Sequence, residues 1–153
     1  MSDTKEQSVW LKYSDEERTA VDGLARDYID FLSACKTERE SVVEAVRRAE
    51  ACGYRDLGGL IARGEKLKAG DKVYAVNMKK AIVLFHIGTA PLEEGMNILG
   101  AHIYTCRLDV KQNPLYEDGG LAYFDTHYYG GIKKYQWVTI PLALHGVVVK
   151  KDG

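Results

Sequence analysis

The hydrophobic period of the chain changes once along its length, and this change restricts the fold more than any other feature. Between residues 14 and 53 the apolar residues recur every three or four positions, which is the spacing of amphipathic helices. From residue 72 onwards they occur in short runs that are rich in β-branched and aromatic residues, which is typical of strands. The sequence therefore predicts an α/β chain in which helices come first and strands follow.

Two capping boxes mark the starts of the predicted helices. Ser14 is followed three residues later by Glu17, and Thr37 is followed three residues later by Glu40. In such a box the hydroxyl accepts a hydrogen bond from the glutamate backbone N–H, while the carboxylate reaches back to the capping residue. The spacing predicts an αα-hairpin with helices over Asp15–Ala34 and Glu38–Cys52.

Three strands and one short helical turn are predicted in the middle of the chain. The turn covers Leu57–Ala62, and the strands Lys72–Asn77 and Ala81–Ile87 are close enough to form a β-hairpin. The third strand, Asn97–Ile103, is apolar nearly throughout, which favours a position buried on both faces of a sheet.

The last third of the chain has a different character. Residues 107–153 carry seven of the fifteen aromatic residues and show no helical period, so this part is predicted to be β-rich, without a helix longer than two turns. The chain ends on an apolar run and an Asp-Gly turn signal, and we expect it to be truncated. The strands predicted here are Leu121–Thr126, Tyr135–Pro141 and Leu142–Lys150.

Composition and charge exclude several classes of protein. With 21 basic and 22 acidic residues, the formal charge is -1, which gives no footprint for binding nucleic acid or an anionic membrane. The longest apolar runs are far shorter than the about 18 residues that a membrane span needs. The three cysteines have no metal or disulfide spacing, so we expect free thiols in a cytoplasmic protein.

The histidines are the main candidates for chemistry. His102 ends the predicted strand Asn97–Ile103, at the strand terminus where α/β sheets bind ligands, so it is a candidate metal ligand. The commoner explanation for such a residue is a hydrogen-bonded histidine at a strand end. His127 could contact a substrate or lie at a sheet edge, and His86 and His145 are interpreted as structural. The carboxylates Asp109, Glu117, Asp118 and Asp125 lack metal-ligand spacing.

The segment around His102 also resembles a known motif. Residues 100–109 read Gly-Ala-His-Ile-Tyr-Thr-Cys-Arg-Leu-Asp. This segment resembles the first metal-site motif of the aspartyl-aminopeptidase family of zinc metallopeptidases, typically Ala-His-x-Asp-Ser-Pro-Arg-Leu. The resemblance to the bacterial branch of that family extends from about residue 9 to residue 153. Further segments that carry it are Lys36–Glu40, Val73–Asn77, Lys111–Asp118 and Thr126–Trp137.

The resemblance implies a two-domain enzyme that holds a cocatalytic pair of zinc ions and removes N-terminal residues from peptides. It implies a mixed-sheet catalytic domain, of which residues 1–106 are the N-terminal part. It also implies an inserted β-rich dimerisation domain, of which residues 107–153 are the truncated start, and hence a homo-oligomer. His102 matches the zinc-ligating histidine of the motif.

Two departures from the motif leave an alternative open. Tyr104 occupies the position of the family's aspartate, a carboxylate that orients the ligand histidine, and Thr105 and Cys106 replace Ser-Pro. The family's other metal ligands and its glutamate base lie beyond the inserted domain, so this chain alone is expected to be inactive. The alternative is a non-catalytic, degenerate fragment that acts as an assembly or binding module. The breadth of the match disfavours a third hypothesis, an unrelated small binding module.

We also expect the isolated chain to self-associate or to need a partner. The predicted strand Asn97–Ile103 would keep an unpaired edge, and edges of this kind pair with other chains. A second surface, rich in aromatic residues that mark contact regions, would be exposed in the β-rich part. Its members are Tyr128, Tyr129, Tyr135 and Trp137. Restoring aspartate at position 104 would not remove this tendency.

Overall fold

The computed structural model describes residues 8–152. The chain divides between Cys35 and Lys36 into two compact units, which are described separately. Its helices are α1 Asp15–Ala34, α2 Glu38–Ala51, α3 Leu57–Ala62 and α4 Lys134–Trp137. Its strands are β1 Arg55–Asp56, β2 Lys72–Asn77, β3 Ala81–His86, β4 Arg107–Asp118 and β5 Leu121–Tyr129. Short 3-10 turns lie at Val9–Leu11 and Leu92–Glu94.

The first unit contains α1, whose predicted bounds are confirmed. Its capping box is complete: the Glu17 N–H donates to Ser14 Oγ at 3.2 Å, and the Ser14 N–H donates to Glu17 Oε2 at 2.8 Å. The apolar residues lie at the predicted helical spacing, but no residue of the helix is buried. No helix within residues 8–152 is both long and apolar enough to cross a membrane.

The interior of the second unit lies between α2, α3 and β2. The Thr37–Glu40 capping box starts α2 as predicted, and the helix ends at Ala51, one residue before the predicted end. Apart from Cys35, the buried apolar residues of the described chain all belong to these elements: Val42, Ala49, Leu60, Val73 and Tyr74. The Tyr74 hydroxyl donates to Glu50 Oε1 at 2.8 Å, and this hydrogen bond to a carboxylate raises the pKa of Tyr74 to about 12.

A three-stranded mixed sheet has the order β1-β2-β3, with β1 parallel to β2 and β2 antiparallel to β3. The predicted hairpin is confirmed, and its turn places Met78 and Lys79 at φ of +50° and +57°. The short helix Leu57–Ala62 is also confirmed, whereas the two-residue strand β1 is too short to produce a periodic signal. The α/β class predicted from the sequence is therefore correct.

The prediction of a third strand at Asn97–Ile103 is wrong. The structure gives these residues no regular secondary structure, and Ile98 and Leu99 are 80% and 100% exposed. A strand exists only when its backbone pairs with another, and within residues 8–152 no segment pairs with this one. The open edge expected there therefore does not exist in this structure.

A long antiparallel hairpin, β4–β5, contains no buried residue. The strand predicted at Leu121–Thr126 is present and continues to Tyr129, but β4 was not predicted because its sequence is largely polar. The turn glycines Gly119 and Gly120 have φ of +58° and +77°, which favours glycine at both positions. The register shifts between Val110 and Leu115, a stretch that includes Pro114, which has no N–H to donate.

The predictions of strands at Tyr135–Pro141 and Leu142–Lys150 are also wrong. Residues 134–137 form α4. Residues 142–150 contain no strand and are all exposed, because no strand within residues 8–152 pairs with them. Since α4 is a four-residue helix, the expectation of no long helix in this part is confirmed for residues 107–152. His145 Nδ1 lies 2.8 Å from Glu40 Oε1, which joins this segment to the first turn of α2.

Candidate metal-ligand site

His102 lies in an extended segment that is held against the start of α2. The Ser41 hydroxyl donates to the Thr37 carbonyl oxygen at 3.1 Å and lies 3.4 Å from the Ile103 carbonyl oxygen, and Thr105 Oγ1 lies 3.5 Å from the Lys36 carbonyl oxygen. These contacts bring residues 103 and 105 against the start of α2. His102 itself is exposed. It is therefore positioned by a docked segment and not, as the sequence predicted, by the end of a strand.

Three aromatic rings and a guanidinium form a continuous stack beside this segment, which we call the His102 stack. The rings of His102 and Tyr104 have centroids 4.7 Å apart and are tilted by 33°. The ring of Tyr104 meets that of Tyr129 edge-on, at 5.0 Å and 75°. The guanidinium carbon of Arg107 lies 4.3 Å from the centroid of the Tyr129 ring, a cation–π distance.

Arg107 connects the stack to two carboxylates. Its Nε donates to Asp109 Oδ1 at 2.7 Å, and its Nη1 lies 3.2 Å from Glu38 Oε1 in an ion pair that lacks hydrogen-bond geometry. Burial opposes the charge of Arg107, but the Asp109 hydrogen bond and the charge of Glu38 outweigh it and raise the pKa of the guanidinium. The stack is thus joined to the first turn of α2 and to the start of β4.

The surroundings of His102 do not supply a complete metal site. A zinc ion in a protein is normally held by at least three side chains. Within residues 8–152 no three His, Cys, Asp or Glu residues come together in a way that could hold a metal ion. His102 has the right donor chemistry for one zinc ligand, but the described residues do not fit a zinc ion by themselves.

The other histidines lie elsewhere. His127 is exposed on β5, opposite Asp109, with its ring 5.3 Å from that of Tyr128. His86 is the exposed last residue of β3, and His145 pairs with Glu40. The candidate carboxylates are engaged separately: Asp109 with Arg107, Asp125 with Lys111 at 3.0 Å, and Glu117 with the Gly120 N–H at 2.9 Å.

The sequence did not indicate that Tyr129 and Arg107 would meet beside residue 104. Next to the Gly119-Gly120 turn, Asp118 pairs with Leu121 and Glu117 with Ala122. If this register continued to the start of β4, residue 107 would pair with residue 132. The bulge between Val110 and Leu115 changes the register so that Arg107 faces Tyr129. Pro114 is the available sequence signal, since proline within a strand indicates an edge or a bulge.

Comparison with known proteins identifies the class to which this fold and segment belong. The structure is similar to the crystal structure of an M18-family aminopeptidase from Thermotoga maritima, with a TM-score of 0.83 and 41% identity over 98% of this chain and 32% of that one. It is also similar to the crystal structure of aminopeptidase I from Clostridium acetobutylicum, with a TM-score of 0.77 and 57% identity over 96% of this chain and 32% of that one.

The family model described as "Aminopeptidase I zinc metalloprotease (M18)" matches residues 31–153. The chain therefore belongs to the M18 family of zinc metalloproteases. Among curated relatives, a probable M18 family aminopeptidase 1 from Clostridium acetobutylicum is 57% identical over 147 residues, or 96% of this chain. This chain spans 32% of that relative's length.

Proposed function

We propose that this chain is the N-terminal portion of a zinc-dependent metalloaminopeptidase that removes N-terminal residues from peptides. In this proposal residues 1–106 contribute to the catalytic domain, and residues 107–153 open a β-rich dimerisation domain of a cytoplasmic homo-oligomer. The observation that carries the proposal is the position of His102. Its exposed imidazole lies in the motif Ala-His, within the part of the chain that the family model matches.

His102 would provide one ligand to a zinc ion, and the other ligands would come from the part of the family's length that this chain does not span. Zinc bound in this way would supply Lewis-acid activation of water and of the peptide carbonyl. His102 would hold the ion through one ring nitrogen. Since residues 8–152 bring no three donors together, we expect the chain by itself to show no turnover.

A chimera tests this proposal directly. This chain would replace the matching N-terminal third of the Clostridium acetobutylicum aminopeptidase, to which it is 57% identical. We expect the chimera to retain zinc through gel filtration and to hydrolyse aminoacyl chromogenic substrates. His102→Ala should lower the zinc content and abolish turnover, whereas the matched control His86→Ala, at the exposed end of β3, should retain both.

The same experiment distinguishes the alternative, a non-catalytic assembly module. That alternative is favoured by Tyr104 in the motif and by the exposed aromatic residues of the β-rich part, among which Tyr135 is 72% exposed. A folded chimera that lacks turnover, or whose zinc content is unaffected by His102→Ala, would reject the enzyme proposal. Chelator-sensitive turnover by this chain alone would reject the expectation that it is inactive.

A further inference from the structure

We propose that Tyr104 is a positioning residue that fixes the orientation of the His102 imidazole by ring packing, with Tyr129 and Arg107 as its support. The relevance of this role to metal binding rests on the proposed function, but the role itself rests on the geometry of the His102 stack. A tyrosine ring packs against His102, and no carboxylate within residues 8–152 makes a hydrogen bond or ion pair with its imidazole.

No polar contact within residues 8–152 holds the His102 ring. Within residues 8–152 no hydrogen bond or ion pair reaches the His102 imidazole, and the residue is exposed. A metal-binding histidine usually donates its second ring N–H to a carboxylate or carbonyl, which fixes the ring plane. Here the ring plane is set by the Tyr104 ring, 4.7 Å away and tilted by 33°.

The Tyr104 ring is itself supported by the ring of Tyr129. Aromatic pairs prefer offset-stacked or edge-to-face arrangements over a face-to-face sandwich. The Tyr104–Tyr129 contact, at 5.0 Å and 75°, is of the edge-to-face kind. It places Tyr104 between two rings, so that its side chain cannot rotate away without losing both contacts.

Tyr129 is anchored through both its backbone and its ring. Its backbone is paired with Arg107 across the β4–β5 ladder, and its ring lies under the Arg107 guanidinium at 4.3 Å. Arg107 is held in turn by Asp109 and Glu38. The orientation of the His102 ring is therefore set by a line of contacts that begins at the first turn of α2 and ends at the candidate ligand.

The contacts are made by the Tyr104 ring, and no hydrogen bond of its hydroxyl is present in the described residues. Phenylalanine should therefore replace tyrosine at this position without loss, whereas alanine should free the imidazole. Tyr129→Ala should loosen the ring partly, because Tyr104 would then lose one of its two neighbours.

The test is nuclear magnetic resonance of the full chain with labelled histidine. We expect the His102 ring protons to show a ring-current displacement that Tyr104→Ala abolishes and Tyr104→Phe preserves. The matched control is Tyr116→Ala, which removes a different stacked tyrosine pair, Tyr116–Tyr123, at 5.2 Å. It should leave the His102 signals unchanged. If Tyr104→Ala leaves the His102 signals in place while the chain stays folded by circular dichroism, the proposal is wrong.

A second measurement separates this proposal from the proposed function. In the chimera, Tyr104→Ala should weaken zinc retention about 10-fold, and Tyr104→Phe should restore it, as expected for a residue that orients a ligand. If His102→Ala has no effect on zinc but Tyr104→Ala still frees the ring, the metal role fails and the positioning role stands. If zinc retention depends on His102 but Tyr104→Ala leaves the His102 ring-proton signals unchanged, the positioning role fails and the metal role stands.

Discussion

Residues 36–87 and residues 107–129 both contain well-paired strands, and they differ in what lies behind those strands. In the first region, helices α2 and α3 cover β2 and bury Val42, Leu60 and Val73 to 3% exposure or less. In the second, β4 and β5 form a longer ladder with no buried residue. Isolated two-stranded hairpins are marginally stable in water, so regular pairing and stability come from different sources in this chain.

The largest expected effect comes from removing a side chain of the interior. Leu60→Ala should destabilise the chain by about 2–5 kcal/mol, because Leu60 is 1% exposed and its removal leaves a cavity. The matched control is Leu115→Ala on β4, where the side chain is 67% exposed and little should change. Urea unfolding followed by circular dichroism measures both. Equal losses would show that the hairpin has an interior of its own.

A backbone substitution probes the end of the hairpin, where Gly130 lies close to Cys106. Gly130 follows β5 with φ of +75°, and a Cβ there would lie 3.0 Å from Cys106 Sγ. Gly130→Ala should therefore cost about 1–2 kcal/mol through the left-handed backbone and this close contact. Gly131→Ala, where a Cβ meets nothing within 4 Å, is the control. Thermal unfolding curves of the two variants should separate, and coincident curves would contradict the expectation.

A smaller effect depends on pH and joins the interior region to the segment beyond the hairpin. The His145 hydrogen bond and the backbone N–H groups of Lys36 and Thr37 lower the pKa of Glu40 to about 2, against an opposing effect of burial. Because the folded pKa lies below the ordinary value of 4.5, this stabilisation is present above pH 4.5 and is lost as the pH falls toward 2.

Glu40→Gln retains a side chain that suits a capping box but removes the titration. The stability difference between the parent chain and this variant should therefore shrink as the pH is lowered from 4.5 to 2. Urea midpoints at several pH values measure it. A difference that stays constant across this range would show that Glu40 does not titrate in the folded chain as its contacts indicate.

The smallest effect is expected from a cross-strand ion pair of the hairpin. Lys111 Nζ and Asp125 Oδ2 are 3.0 Å apart, but both side chains are about half exposed, at 51% and 48%. Exposed pairs of this kind contribute about 0–1 kcal/mol, so Lys111→Met should change stability by less than about 0.5 kcal/mol. The change should disappear in high salt. A larger, salt-independent loss would mean that the pair is shielded from solvent.

The parts of the fold that the sequence predicted are those whose signals are local. A capping box is defined by four consecutive residues, and both predicted boxes are present. The predicted bounds of α1 and α3 are also confirmed. The β2–β3 hairpin was likewise predictable, since its two strands lie close together in the chain. In each case the residues that determine the structure are also the ones that carry the pattern.

The predictions that failed required a partner that the pattern does not show. An apolar run such as Asn97–Ile103 indicates burial, but whether it becomes a strand depends on a neighbouring backbone. The polar strand β4 is the converse case, because pairing with β5 organises a sequence without apolar alternation. For the site, the motif indicated His102 and Tyr104, whereas their support by Tyr129 depends on a bulge in the register.

Glu40 contacts residues at very different distances along the chain, and this has a consequence for the order of folding. Its Oε2 accepts from the Thr37 N–H, three residues away, and its Oε1 meets His145, 105 residues away. Closing the longer loop costs roughly 3 kcal/mol more chain entropy than closing the shorter one. During synthesis at about 5–20 residues per second, Glu40 precedes His145 by about 5–20 s. The same carboxylate therefore starts helix α2 first and receives its distant partner only after another 105 residues have been added.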